Sequence, residues 1–129
     1  MQIHKSTAVL IVTAIEPSLA FWQQHLGFER SVEVPHDGKL DFVILTNGTV
    51  EVMYQTVASV GADMPTRLSD WHDDRSHLYV EVDDIDAIAM ALVEFEVVLP
   101  KRKTFYGASE IGYREPGGHY VTFAQMSRG

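Results

Sequence analysis

The 129 residues carry 18 acidic against 10 basic side chains, a formal charge of −8, and no cysteine. The acidic balance argues against nucleic acid as a partner, because phosphate binding needs Lys and Arg patches, and it serves either solubility or a cationic ligand. No disulfide, zinc–thiolate site or thiol nucleophile can form, no apolar run reaches the roughly 18 residues of a membrane span, and Met1–Lys5 lacks a signal-peptide pattern, so the expected setting is a reducing cytoplasm without membrane contact.

Residues 7–13 are β-branched and apolar on both faces, as in a buried strand. Glu16–Pro17–Ser18 signals a helix start, and Leu19, Trp22 and Leu26 form one apolar stripe before Gly27 stops the helix. Phe28–Val34 alternates as a strand, His36–Asp37–Gly38 turns, Leu40–Leu45 is a strand, Asn47–Gly48 is a tight hairpin turn, and Thr49–Thr56 is a fourth strand. Residues 57–74 lose periodicity and read as a linker or the wall of a site, with a short helical turn near Thr66–Trp71.

Leu78, Val80 and Val82 alternate with His77, Tyr79 and Glu81, so the next strand has one apolar and one polar face. Asp83 or Asp84 caps a helix with Ile85, Ile88 and Leu92 on one stripe. Short strands follow near 95–99, 103–106 and 110–115, then a turn at Pro116–Gly117–Gly118 and a last strand, His119–Gln125. An offset of 70 superposes Val12 on Val82, Ile15 on Ile85, Trp22 on Leu92 and Thr7 on His77, and Glu51 and Thr122 stand 71 apart on their fourth strands. The predicted fold is α+β. It has two β-α-β-β-β modules, residues 1–56 and 76–129, joined by 57–75 and forming one curved mixed sheet around a cavity, helices outside.

Ile15–Trp22 with Leu26–Gly27–Phe28, Val50–Glu51–Val52, Ser76–Asp84 and Arg114–His119 together resemble the vicinal oxygen chelate superfamily of glyoxalases, bleomycin-resistance proteins and extradiol dioxygenases. The resemblance implies a site built from the first and fourth strands of each half, at Thr7, Glu51, His77 and Thr122. Glu51 and His77 match the family's metal-binding pattern. Thr7 and Thr122 do not, and a hydroxyl is a poor ligand for a transition metal. Any divalent metal is therefore expected to be weakly held on Glu51 and His77, with no other cofactor.

Glu51 is either a ligand or base, or a carboxylate on a wetted wall; His77 is either a ligand or an oriented acid–base group. Tyr79, Tyr106 and Tyr113 are assigned to the ligand site with those four positions, and Trp71, Phe105 and Tyr120 are further candidates for its wall. His25 and His119 are read as surface residues. His72, Asp73, Asp74 and His77 fit no compact metal motif, and neither a phosphate loop nor a Ser-centred nucleophile motif occurs. Two functions follow from the resemblance: a bleomycin-resistance type protein sequestering a small, cationic or aromatic ligand, or a lyase or isomerase of the glyoxalase-like branch using Glu51 and His77. An efficient glyoxalase I and an extradiol dioxygenase are disfavoured by Thr122 and Thr7. Exposed sheet edges and an open trough predict a homodimer.

Overall fold

A computed structural model describes residues 1–69 and 75–127. The first module runs β1 (Val9–Val12), α1 (Glu16–Leu19, continued as a π-helical turn over Ala20–His25), β2 (Glu29–His36), β3 (Lys39–Asn47) and β4 (Val50–Thr56). Two short helices, α2 (Val57–Asp63) and α3 (Pro65–Ser69), lead toward the second module of β5 (His77–Glu81), α4 (Ile85–Ala91), β6 (Glu96–Lys103), β7 (Ala108–Arg114) and β8 (Tyr120–Met126). Each module forms a mixed four-stranded sheet, in the orders β1-β4-β3-β2 and β5-β8-β7-β6. The edge pairs β1–β4 and β5–β8 are parallel, and the others antiparallel.

The two modules share one core. Leu10, Val12, Val43, Leu45, Val52 and Tyr54 turn inward from the first sheet, and Ile111, Tyr113, Val121 and Phe123 from the second. The first helix lies between them. Consecutive residues Phe21 and Trp22 are both fully buried, which one stripe on an outer helix would not require. Trp22 donates its indole N–H to the Tyr54 hydroxyl at 2.7 Å, while the Phe21 ring meets Tyr113 and Phe123 of the other sheet at 6.2 and 6.3 Å. Within one chain the sheets therefore lie on either side of α1, and their second faces point away from each other.

Glu115 fastens this arrangement. Its buried carboxylate accepts from Ser18 Oγ (2.7 Å) and Tyr54 Oη (3.1 Å) of the first module and from the amides of Gly117 (2.9 Å) and His119 (2.7 Å) in its own turn. Burial and then the Glu115 charge hold the Tyr54 phenol protonated, well above its ordinary range. A Cβ at Gly117 would stand 2.6 Å from Ser18 Oγ and 2.9 Å from Val12 Cγ1, so only glycine lets the turn approach this closely.

Several elements differ from the sequence reading. The supposed linker contains α2, capped where Thr56 Oγ1 accepts from Ser59 N at 3.1 Å. The strand expected at 95–99 runs on to Lys103 as β6, whose two register shifts against β7 disturb the alternation, and most of the strand expected at 103–106 is instead the turn before β7. His119 is not a surface residue: it is 3% exposed. Its Nδ1 accepts from Ser76 N at 2.9 Å, so the proton sits on Nε2, which donates to Ile11 O at 2.9 Å. His25 is half-buried against Ala91 O and Glu94. Asp84, not Asp83, caps α4, accepting from Asp86 N and Ala87 N at 3.1 Å. Trp71, His72, Asp73 and Asp74 lie outside the described residues.

Candidate functional site

The outward face of the first sheet is built by alternation. Val9, Met53, Ile44 and Val32 lie in register across β1, β4, β3 and β2, and Ile11, Gln55, Phe42 and Val34 form the next row. Val9, Val32 and Val34 are exposed at 43%, 45% and 48%, a run of apolar surface that a soluble monomer seldom leaves open. Glu51 stands at one end of this face. Its Oε1 accepts from Thr7 Oγ1 at 3.0 Å and its Oε2 from Lys5 Nζ at 3.0 Å. The Lys5 and then the Thr7 hydrogen bond hold the carboxyl below its ordinary range. At the other end α2 walls a cavity of about 630 Å³ lined by Val34, Phe42, Gln55, Ala58, Ser59 and Asp63.

The outward face of the second sheet is polar. His77, Tyr79 and Glu81 alternate outward from β5, in register with Tyr120, Thr122 and Ala124 of β8. His77 Nε2 and Thr122 Oγ1 share a proton at 2.7 Å. Arg114 stacks on Tyr120, its guanidinium carbon 5.0 Å from the ring centre. Glu110, 1% exposed, accepts from Tyr79 Oη at 2.5 Å, from the Tyr106 hydroxyl, and from Arg102 Nε and Nη2 at 3.2 and 3.1 Å. The hydrogen bonds of Tyr106 and then Tyr79 hold Glu110 below its ordinary range, and the same bond to Glu110 drives the Tyr79 phenol far above its own.

Thr7 thus meets Glu51, and His77 meets Thr122, but no described hydrogen bond or ion pair joins the two pairs, which lie on faces turned away from each other. The expected convergence of all four positions does not occur within one chain. The offset of 71 between Glu51 and Thr122 also fails as a structural equivalence: Val9 pairs with Met53 and Tyr79 with Thr122, so Met53 is the counterpart of Thr122. A five-residue connection from 115 to 119 replaces the two-residue turn at 48–49, and an offset cannot be carried across turns of unequal length. Tyr113 leaves the candidate ligand set. It is 1% exposed and packs against Phe21 and Phe123, because its position on β7 turns it to the core. Tyr79 and Tyr106 remain, 48% and 52% exposed. The reading of residues missed Glu110 and Arg102, which stand in register on the outward face of β7 and β6, where alternation alone makes them look like ordinary surface charges.

The donors do not suit the divalent metal that the fold family implies. Two of the four positions are hydroxyls, the carboxylate is engaged by an ammonium group, and the imidazole is on the opposite face. Among the described residues no group of three or more His, Asp or Glu side chains is placed to hold an ion. A larger cavity, about 690 Å³, opens at the seam between modules beside Leu26, Phe28, Val80 and Ile88, and touches neither Glu51 nor His77.

Comparison with known proteins agrees with this architecture. Residues 5–123 match the model of the glyoxalase/bleomycin resistance protein/dioxygenase superfamily, and the chain belongs to that superfamily. Among solved structures it is similar to TioX from Micromonospora sp. ML1, with a TM-score of 0.78, 19% identity, and coverage of 96% of this chain and 99% of that one. Lactoylglutathione lyase from Agrobacterium tumefaciens gives a TM-score of 0.76, 16% identity and coverage of 97% and 95%. A glyoxalase/bleomycin resistance protein/dioxygenase from Nocardioides gives 0.74, 14%, and coverage of 100% and 87%. At these identities the likeness is one of fold. None of the curated proteins matches the sequence. No described helix is long and apolar enough to cross a membrane.

Proposed function

We propose that the protein sequesters a small organic cation in a cavity built between two copies of the chain, the Glu51 face of one set against the His77 face of its partner. The observation that carries this reading is the pair of unlike outward faces: an exposed apolar sheet surface ending in an ionised carboxylate, and a polar surface of His77, Thr122, Tyr79 and Tyr106. Apposing them covers the apolar rows and encloses both half-sites, and two-fold symmetry makes two equivalent cavities. The apolar rows supply contact area, and Glu51 supplies the charge that orients a cation. Lys5 occupies that carboxylate in the free protein and must be displaced by, or share it with, a ligand.

The glyoxalase-like alternative needs Glu51 and His77 to act on one substrate, and it too requires the two faces to meet. Among the described residues it has no complete metal shell to polarise a carbonyl, so binding is the reading supported better. Sedimentation should give a dimer at micromolar concentration, and calorimetry should show an aromatic ammonium compound binding about tenfold more weakly to Glu51→Gln. A monomer, or undiminished binding by that variant, contradicts the proposal.

A further inference from the structure

The cluster around Glu110 has a direction built into it. Each phenol carries one proton. Tyr79 Oη and Tyr106 Oη both make their shortest contact with Glu110 Oε2, while the contact between the two hydroxyls is longer, 3.3 Å. Glu110 has no proton to give when ionised, and Arg102 saturates its other oxygen. Both phenolic protons therefore point inward at the carboxylate. The lone pairs of the two oxygens are left facing outward, 3.3 Å apart, on rings about half exposed. Tyr79 reaches Glu110 on a diagonal across β8: its own register partner is Thr122, followed by Gly112 on β7, and Glu110 stands opposite the small Ala124, so no bulky side chain fills the path. Phe105 is fully exposed beside Tyr106, the ring centres 5.1 Å apart at 87°, and adds an uncovered aromatic surface next to the acceptors.

We propose that the Tyr79 and Tyr106 oxygens form an acceptor pair that selects ligands bearing a protonated amine or amidine next to an aromatic group, with Glu110 as the positioning residue that keeps both hydroxyl protons turned inward. The inference rests on the reading that this face lines the ligand cavity, and it narrows the cation to a hydrogen-bond donor. One N–H group can bridge two acceptors at this spacing, and the flanking rings favour a cation over an anion. A carboxylate or phosphate meets lone pairs instead of protons and is rejected, since a site built to accept leaves an acceptor ligand unpaired.

The test uses two probes with the same ring and opposite charge, naphthylmethylammonium and naphthoate, followed by calorimetry and amide NMR at neutral pH. The wild type should bind the ammonium at least about tenfold more tightly than the carboxylate. Tyr79→Phe and Tyr106→Phe keep the rings, and each should weaken the ammonium by about three- to tenfold with little effect on the carboxylate. In Glu110→Gln the side-chain amide gives a hydrogen bond as well as taking one, so one phenolic proton is freed to turn outward. The ammonium preference should collapse toward parity, and ultraviolet titration should find Tyr79 ionising at lower pH than in the wild type. A merely structural role for Glu110 would lower stability without reversing the preference.

Equal or tighter binding of naphthoate, no binding of either probe, or unchanged ammonium affinity in both Tyr variants overturns the inference. If the Tyr variants bind normally while Glu51→Gln is impaired, the acceptor pair is wrong and the cavity reading stands. If the Tyr variants are impaired and Glu51→Gln is not, the acceptor pair stands and the assignment of Glu51 fails.

Discussion

The two sheets have the same strand order and the same parallel edge pair, yet their outward faces differ in chemistry. On the first, seven of the eight positions in two rows are apolar, and the Glu51 carboxylate at one end is held by the exposed side chain of Lys5. On the second, the corresponding surface carries His77, Tyr79, Glu81, Thr122, Tyr120 and Arg114, and the buried carboxylate of Glu110 is fixed by three side chains from β5, β6 and the turn before β7. The inward faces of both modules are apolar because packing dictates residue type there, whereas the outward faces differ in kind. One is an apolar wall with an exposed counter-ion on its carboxylate. The other is a preset array of hydrogen-bonding groups. The difference teaches that four positions on duplicated strands need not be equivalent: on the proposed reading each half contributes a distinct kind of chemistry.

The strongest way to break this comparison is to remove what holds the faces back to back. Glu115→Ala strands Ser18 Oγ, Tyr54 Oη and the amides of Gly117 and His119, and should cost at least about 3 kcal/mol in urea unfolding. The variant should lose the transition of both modules together; independent unfolding of the halves would contradict the shared core.

Acid and base sharpen it next. Glu51 and Glu110 have lowered folded values, so the stability each adds is present above the unfolded glutamate value and is lost as pH falls through the folded one. Tyr79 has a raised folded value, so its contribution is complete below the unfolded tyrosine value of 10.0 and is lost as pH rises beyond it. Thermal melts should therefore decline at both ends. Tyr79→Phe should soften the alkaline decline and, by removing one hydrogen bond that holds Glu110 low, slightly alter the acid one, whereas Glu51→Gln should soften only the acid one.

A smaller effect should follow from Lys5→Ala. Freed of its ammonium partner, Glu51 should bind an aromatic ammonium ligand about two- to threefold more tightly, the scale of an exposed ion pair, with unchanged melting temperature. Weaker binding would make Lys5 part of the ligand site instead of a competitor for it.

Much of this was legible in the residues. The duplicated helix start, the alternation of His77–Val82 and the tight turn at Asn47–Gly48 each carry a local cause, and they fixed the modules. What the residues could not show was tertiary. Phe21 and Trp22 look like one stripe plus a neighbour until both sides of α1 are known to be covered. Tyr113 looks like Tyr79 until its strand register turns it inward. Glu110 could not be told from a surface carboxylate, because its partners Tyr79, Tyr106 and Arg102 come from elements brought together only by the sheet. The pairing of Glu51 with Lys5 depends likewise on the fold of a segment with no periodicity.

The central claim is that each cavity takes Glu51 from one copy and the Tyr79 face from the other, and subunit complementation tests it most directly. Glu51→Gln and Tyr79→Phe/Tyr106→Phe homodimers should each bind naphthylmethylammonium poorly at both sites. Co-expressed with different tags and purified as the mixed dimer, they should regain one site of wild-type affinity, because one cavity then collects every substitution and the other none. A mixed dimer in which neither site recovers would show that the groups act within one chain and would contradict the account.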